Sequence, residues 1–557
     1  MNAAWVCLWG LAMFAAGYLV YSRYLSRRVF GLEHEEPVPS RQLEDGIDYV
    51  PTPRAVLFGH HYSSIAGAAP IIGPAIAVVW GWVPAIVWVV LGTVFLGAVH
   101  DFSTLVLSVR HAGKSVGQIS AAVIGPRTRP LFLLVIFFLV LLVIAVFAKA
   151  IATLFVKEPG TVLPINFQIL VAMAIGYACY RRRIKLFWPS LAALVSLYAA
   201  AVVGVSVPLS LAPLVGAEHE HLTWVVLLLV YSFVASVLPV WVLLQPRDYI
   251  NSHQLLLGLG LLILGILIGA PRITAPAVAI APADAPAVIP FLFVTIACGA
   301  ISGFHGLVSS GTTSKQIERA TDARFIGYGG MLGEGLLALI ATLAVSAGLA
   351  DFAAHYHSFA AAAQGGVGAF VEGAASFLGA LGIPADPARV FVGVMVISFA
   401  ATSLDTGVRI QRYILEELGE LYSLGWLRNR YVSGSVAVVL PLGLVLAGKE
   451  GALWPLFGSS NQLLAGLSLV VVTVWLYREG KAWVFTGVPM LLVLGVSTLA
   501  MGSNLAAYLR SANYSLLVVG GVILALQVWV CLEGLAAVRR SRSGARPPAV
   551  AVVTPER

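Results

Sequence analysis

Long apolar runs that recur from end to end of the chain constrain its fold more than any other feature. Each is about 20 residues long, the length that an α-helix needs to cross the hydrocarbon core of a bilayer. The strands of a membrane barrel would instead alternate apolar and polar residues. Of the 557 residues, 59% are hydrophobic and 11% are charged, whereas soluble domains carry about 25% charged residues. The sequence therefore predicts an all-α polytopic membrane protein.

The positions of the basic residues test the number of spans. About 15 apolar segments qualify as transmembrane helices, and Arg and Lys then fall in every second loop, as the positive-inside rule demands. This alternation of basic and non-basic loops predicts an N-terminus outside and a C-terminus in the cytoplasm. It makes the apolar segment 365–382 an external or re-entrant helix, because a further span would place a basic loop outside. The predicted spans are roughly 3–22, 55–80, 83–109, 131–153, 164–180, 186–207, 223–244, 254–270, 289–308, 326–350, 390–411, 431–448, 452–476, 483–503 and 514–537.

The same pattern divides the chain into parts. A peripheral N-terminal helix over 1–28 precedes a charged linker over 29–54, which is expected in the cytoplasm. The core that carries the polar motifs is expected over 55–411, and further transmembrane helices over 412–540. The remaining residues, 541–557, are expected to form a disordered cytoplasmic tail.

The most unusual apolar segment is 59–74, inside the second predicted span. It carries two histidines, a tyrosine and two serines, and then glycines and prolines that weaken or break a helix. Free backbone groups at membrane depth survive only where they face protein or a cavity, and broken helices form the binding sites of many secondary transporters. The alternative is a proline-kinked packing helix. The residues predicted to bind substrate here are His61, Tyr62, Ser63, Ser64, Gly67, Ala68, Ala69 and Pro70.

A second interruption is expected at Ser236 and Pro239, five spans later, and both residues are predicted to bind substrate. The alternation of basic loops implies that these two spans cross the membrane in opposite directions. Two broken, oppositely directed helices indicate an inverted five-plus-five repeat, with halves of about 55–207 and 223–411. The alternative is a lone proline in an ordinary membrane helix, which is common.

The segment 297–317 is the best candidate for coupling to a cation. His305 lies at membrane depth, and hydroxyl residues follow it in the next turns. Oxygen ligands suit a hard cation such as Na⁺, whereas a histidine suits proton exchange; the alternative is that the hydroxyls bond to their own helix. His305 is also predicted to bind substrate. The predicted coupling-ion residues are Ser64, Gly67, His305, Ser309, Ser310, Thr312 and Thr313.

Charged residues inside spans are rare and therefore informative. His100, Asp101, Glu334 and Asp405 are the candidates. Asp101 and Glu334 could instead pair with loop arginines, and Asp405 with Arg409 one helical turn away. No nucleotide-binding lysine motif or catalytic triad is present, and the cysteines have no metal-ligand spacing, so neither an enzyme, a cofactor nor a bound metal is expected. The alternative is a metal bound by the loop histidine pairs His219/His221 or His355/His357, which are expected to be solvated. The basic residues lie in short loops, which suits topology rather than nucleic-acid binding.

Several of these segments resemble the carbon starvation protein A (CstA) family of inner-membrane transporters. The resemblance implies a LeuT-like fold of the APC superfamily with extra helices. It also implies uptake of peptides during carbon starvation, or proton-coupled uptake of pyruvate. The similar segments are 59–74, 100–102, 245–249, 302–313, 402–407 and 453–462.

The residues and the resemblance together predict a multi-pass protein of the cell inner membrane that imports a small carboxylate such as pyruvate, or short peptides, coupled to H⁺ or Na⁺. A passive channel and a membrane-embedded nutrient sensor are the alternatives. A channel would give flux without accumulation, and the short loops offer a sensor no sizeable soluble domain.

Overall fold

The computed structural model describes residues 1–33, 36–46, 48–182, 186–239, 241–279, 284–447 and 453–542. Across these residues the chain is α-helical, with two isolated β-bridges and no β-strand. The prediction of an all-α polytopic protein is confirmed. The predicted tail lies outside the described residues beyond position 542.

The helices agree closely with the apolar runs. Among the described residues, 13 helices are long and apolar enough to cross a membrane, and a bent pair of shorter helices forms a further candidate span. The helices are α1 (Ala3–Val29), α2 (Arg54–Ile65), α3 (Ala69–Trp80), α4 (Trp82–Arg110), α5 (Val116–Val123), α6 (Thr128–Lys157), α7 (Pro159–Cys179), α8 (Phe187–Ser206), α9 (Ala217–Val237), α10 (Leu244–Gly269), α11 (Val288–Thr295), α12 (Ala297–Ala300), α13 (Gly303–Gly311), α14 (Ala320–Ala347), α15 (Phe359–Gly379), α16 (Ala385–Leu421), α17 (Arg430–Ala447), α18 (Leu453–Arg478), α19 (Val484–Arg510) and α20 (Tyr514–Ser541).

The first broken span consists of α2 and α3, which meet at a bend of 48°. The helix ends at Ile65, Ala66 leaves the helical region with φ −74° and ψ 68°, and a new helix begins at Ala69. Pro70 suits the first turn of α3, where its missing N–H would have no intrahelical partner anyway. The predicted interruption near Gly67 is therefore confirmed.

The second interruption does not lie where the sequence indicated. Helix α9 is continuous to Val237, and Pro239 follows its end, where a missing N–H breaks no helical hydrogen bond. Arg409 donates hydrogen bonds to the carbonyl oxygens of Ala235 and Leu238, at 2.8 and 2.6 Å. The prediction of a mid-span break at Ser236–Pro239 is therefore wrong, because the helix starts earlier than the predicted span.

The second broken span is instead formed by α11, α12 and α13. Ile301 and Ser302 are both extended, with φ −161° and −135°, and they separate α12 from α13. Each piece is short, so the predicted span 289–308 is not one continuous helix. The second broken span packs against the first through α3, α11 and α12.

The most buried helices, α6, α14, α16 and α18, form the centre of the bundle. Helix α6 packs against α16, and α18 is buried along its apolar window and contacts both α6 and the second broken span. Helices α1, α8, α17 and α20 are much less buried and surround this centre. The C-terminal group predicted over 412–540 thus includes a central helix, α18. The segment predicted as external or re-entrant forms most of α15, which packs against α3, α14 and α16.

Gly73→Ala is expected to destabilise the protein by about 1–3 kcal/mol, the usual cost of overpacking. The added Cβ would lie 2.2 Å from the backbone carbonyl oxygen of Thr295, so the two broken spans would have to separate. Thermal unfolding of the detergent-purified protein measures this effect.

Gly495→Ala is the matched control. Gly495 also lies inside a helix, but an added Cβ there would have no heavy atom within 4 Å. This variant should be neutral or slightly stabilising, because Ala is the better helix former. An equal loss of stability in both variants would contradict close packing at Gly73.

Candidate functional site

A small cavity lies where the two broken spans meet. Its volume is about 10 Å³, which is room for about one water molecule, and Ala69 and Pro70 of α3 and Phe304 and His305 of α13 line it. Helices α3 and α13 both begin at this cavity, so the N-terminal ends of two half-helices converge there. Helix N-termini carry partial positive charge and favour anions.

Four buried titratable side chains form a continuous chain beside the cavity. His100 Nδ1 lies 2.9 Å from Asp101 Oδ1, and His305 Nδ1 lies 3.0 Å from Asp101 Oδ2. The other ring nitrogen of His305 lies 3.0 Å from Glu334 Oε2, as an ion-pair contact. Three separate helices, α4, α13 and α14, contribute these residues. We call His100, Asp101, His305 and Glu334 the buried proton chain.

The charge balance of the buried proton chain is uneven. Each of its side chains is at most 1% exposed, and ionised groups are costly at such burial unless they are paired. If both carboxylates are ionised and only His305 is protonated, one negative charge remains uncompensated. One further proton would neutralise the group. The alternative partners for Asp101 and Glu334, loop arginines, are not the contacts that the structure shows.

The hydroxyl residues in and just after α13 mostly form hydrogen bonds within the protein. Ser310 donates to the carbonyl oxygen of Gly306 at 2.6 Å, and Thr312 donates to that of Val308 at 2.9 Å. These two hydroxyls therefore bond to their own helix. The buried hydroxyl of Ser309 has no hydrogen-bond partner among the described residues.

The first broken span turns its carbonyl groups toward a different helix. Ser64 donates to the carbonyl oxygen of His60 at 2.7 Å, while its own carbonyl oxygen accepts from Ser403 of α16 at 3.4 Å. Gly67 also faces Ser403, whose Oγ would lie 2.6 Å from an added Cβ. The predicted coupling-ion set grouped Ser64 and Gly67 with the hydroxyl residues that follow His305, whereas the structure places Ser403 of α16 beside these two residues.

The remaining predicted residues of the first broken span serve as helix contacts. His61 Nδ1 lies 2.9 Å from Thr313 Oγ1, and its Nε2 has no hydrogen-bond partner among the described residues. Tyr62 donates to the carbonyl oxygen of Gly333 at 2.8 Å, and Ser63 donates to that of Asp248 at 2.9 Å. Ala68 is buried at the break itself.

The residues predicted on α9 are not brought to the cavity. Ser236 is buried and donates to the carbonyl oxygen of Phe233 at 2.8 Å, whereas Pro239 is exposed. Neither residue lines the central cavity.

A second buried charge network centres on Arg247, which was not among the predicted site residues. Arg247 is 2% exposed and forms an ion pair with Asp405 and another with Asp248, at 3.3 Å for the latter. Asp248 Oδ2 lies 3.1 Å from His60 Nδ1. The expected pairing of Asp405 with Arg409 is wrong, because Arg409 caps the end of α9 instead. The charged motif 245–249 inside an apolar stretch was the signal that could have identified Arg247.

Two further openings lie at opposite ends of the bundle. The linker-side pocket is bordered by Asp48 and Val50 of the linker, together with His60, Ser64 and Thr406.

The second opening, which we call the basic vestibule, is bordered by Lys149, Lys157, His221 and Trp454. The basic vestibule adjoins the central cavity along α3, α6 and α18. The linker-side pocket adjoins the same cavity along α2 and α16.

Comparison with known proteins identifies the family. A sequence model described as "Carbon starvation protein CstA" matches residues 2–352 and 346–500. The peptide transporter CstA of Mycobacterium tuberculosis is 33% identical, covering 92% of this chain and 77% of its own length. The pyruvate/proton symporter BtsT of Escherichia coli K12 is 31% identical, covering 91% of this chain and 82% of its own length.

The similarity extends to a further relative and to solved structures. The peptide transporter CstA of Escherichia coli K12 is 33% identical, covering 87% of this chain and 78% of its own length. Among solved structures, MhsT in complex with L-phenylalanine aligns with a TM-score of 0.45 and 12% identity, over 87% of this chain and 99% of that chain.

The names of these relatives agree with a transport protein and not with an enzyme. The family match covers most of the chain, and the predicted resemblance to this family is confirmed. The chain therefore belongs to the carbon starvation protein CstA family.

Proposed function

We propose that this protein is a secondary active transporter that imports a small carboxylate such as pyruvate, or short peptides, together with protons. One observation carries the proposal: the buried proton chain reaches the cavity between two broken helices through His305. Substrate and proton sites that share a residue can influence each other directly, which is what coupled transport requires.

The substrate class follows from the shape and polarity of the cavity. Two half-helix N-termini favour a negatively charged group. The cavity volume of about 10 Å³ lies far below the roughly 300–1,000 Å³ that is usual for ligand pockets, so this site must widen to admit any substrate and must widen less for a small one. A compact carboxylate suits this cavity better than a dipeptide does, while the names of the relatives support either class.

The coupling ion is proposed to be a proton rather than Na⁺. A proton neutralises the uneven charge of the buried proton chain, whereas two of the α13 hydroxyls already bond to their own helix. Pyruvate and one proton would then cross without net charge.

Alternating access also needs closure at each end of the route. The Arg247 network joins α2 to α10 and α16 beside the linker-side pocket, and we propose that it holds this end closed. A channel would keep both ends open, which the enclosed central cavity does not favour.

We further propose the orientation and the repeat. Arg110 pairs with Glu36 of the linker at 2.5 Å, and Arg41 of the linker pairs with Glu318 at 3.1 Å. These basic loops meet at one end of the bundle, which supports a cytoplasmic linker and C-terminus with an outside N-terminus. The two broken spans, α2–α3 and α11–α13, are proposed as the first helices of the two halves of a LeuT-like inverted repeat.

Uptake of labelled pyruvate and of a labelled dipeptide into proteoliposomes tests the function. An inside-alkaline gradient of one pH unit is worth about 1.4 kcal/mol and should drive about tenfold accumulation of pyruvate at one proton per anion. Replacing Na⁺ by K⁺ should change nothing. Without accumulation of either substrate, the transport proposal fails.

Glu334→Gln is expected to abolish accumulation driven by the pH gradient while leaving exchange of pyruvate across the membrane. The amide keeps the shape of the side chain but removes its titrating group. His305→Gln should also abolish this accumulation, because its ring joins both carboxylates, and it should weaken exchange as well, because His305 lines the cavity. Counterflow and gradient-driven uptake, measured side by side, separate the two properties.

His357→Gln, on an exposed loop, is the histidine control and should behave as the wild type. Ser310→Ala tests the alternative ion. If uptake requires Na⁺ at fixed pH, survives His305→Gln and fails in Ser310→Ala, the proton assignment is wrong.

Arg247→Met is expected to destabilise the protein by about 3–5 kcal/mol, because it leaves buried Asp405 without its charged partner. Adding Asp405→Asn in the same chain should recover part of the loss. The variant should also open the linker-side end, which speeds maleimide labelling of Thr406→Cys. Denaturant unfolding and labelling rates measure the two effects.

Arg389→Met is the control for this experiment. Its pair with Asp386, at 3.7 Å, is exposed, and such pairs contribute about 0–1 kcal/mol. Unchanged labelling of Thr406→Cys in Arg247→Met would show that the network does not close this end.

A further inference from the structure

The basic vestibule has features that the central cavity does not account for. Lys149, Thr153 and Lys157 lie four residues apart along α6, which places them on one helical face. His221 of α9 approaches this face, with Nε2 3.2 Å from Thr153 Oγ1. The cavity volume of the vestibule is about 360 Å³. It is large enough to hold a small solute together with water.

The polar lining of the vestibule is suited to an anion. Lys149 and Lys157 supply two ammonium groups, and no Asp or Glu is among the described residues that line it. The indole Nε1 of Trp454 is buried and has no hydrogen-bond partner among the described residues. A buried donor without an acceptor is costly, and a cleft of one charge sign concentrates ions of the opposite sign.

The vestibule lies next to the central cavity. Val146 of α6 borders the vestibule and its neighbour Phe147 borders the cavity. On α18, Trp454 borders the vestibule and Phe457 borders the cavity, with ring centroids 5.5 Å apart. The ring centroids of Phe147 and Phe457 are 6.2 Å apart. Aromatic rings therefore separate the two spaces.

We infer that the basic vestibule is a second, outer binding site, which takes the carboxylate of the substrate before it passes the aromatic rings. Lys157 is exposed at the mouth and attracts the anion. Lys149 is half-buried and lies about 12 Å deeper along the helix at 1.5 Å per residue, where it binds the carboxylate together with Trp454 Nε1–H. The inference rests on the proposed function for the identity of the substrate as a carboxylate.

The competing explanation is that both lysines simply extend their ammonium groups to water. In that case neither would affect the substrate. Their position on a helical face that borders a space between α3, α6, α15 and α18, rather than lipid, favours a binding role.

Lys149→Gln tests the outer site. It should raise the KM for pyruvate uptake about tenfold, the effect of losing about 1.4 kcal/mol of binding, with little change in kcat. Lys149→Arg should keep the KM within about twofold, since it retains the charge. Lys157→Gln should raise the KM less, and the difference should disappear at high salt, where exposed charges are screened.

Arg389→Gln is the matched control. It removes an exposed positive charge near Glu158, at the end of α6 that carries Lys157, and does not border the vestibule. It should leave the KM unchanged. An equal rise in KM for Arg389→Gln would overturn the assignment, because surface charge alone would then explain the effect.

Direct binding separates this inference from the proposed function. Pyruvate added to the purified Glu334→Gln protein should change its tryptophan fluorescence, and Trp454→Phe or Lys149→Gln in that background should remove the change. Methyl pyruvate, which lacks the negative charge, should not bind. Failure of the wild type to accumulate pyruvate would defeat the transport proposal, whereas pyruvate binding unchanged by Lys149→Gln would overturn the outer site.

Discussion

The absence of water from the bilayer core is the constraint on which the structure depends. Two spans lose their helical hydrogen bonds at mid-length, and the freed backbone groups need partners inside the protein. Thr93 donates to the carbonyl oxygen of Gly299 at 3.0 Å, and Ser403 donates to that of Ser64 at 3.4 Å. Asn461 Oδ1 accepts from the amide of Phe304 at 3.0 Å. These hydrogen bonds join the two broken spans to the neighbouring helices α4, α16 and α18.

Because water is absent from the bilayer core, charged side chains buried there need partners of opposite charge. Glu334 and Asp101 are tolerated because His305 lies between them, and Asp405 is tolerated because Arg247 reaches it from a neighbouring helix. Such buried pairs contribute little net stability but are costly to break. Removing the charge of one partner would therefore leave the other buried and uncompensated, at a large cost in free energy.

Much of the fold could be predicted from local sequence. Continuous apolar runs and alternating basic loops specify the helices, because each span must satisfy its own backbone and the basic residues mark one side. The break at Gly67 was also predictable from local sequence, because glycine and proline weaken or remove helical hydrogen bonds within a span. The prediction failed at Pro239, where the proline was recognised but the start of its helix was misjudged, and at Ile301, where no proline marks the break.

By itself, the sequence determined that the chain is helical, that it weaves through a membrane, where its first span breaks and which polar residues lie at membrane depth. It also identified His100, Asp101, Glu334, Asp405 and His305 individually. Only the tertiary structure decided their partners: His305 bridges Asp101 and Glu334 across 204 and 29 positions of sequence, and Asp405 meets Arg247 rather than Arg409. Helix packing sets such pairings, because it depends on the shapes of faces from distant segments, and no local pattern encodes which faces will meet.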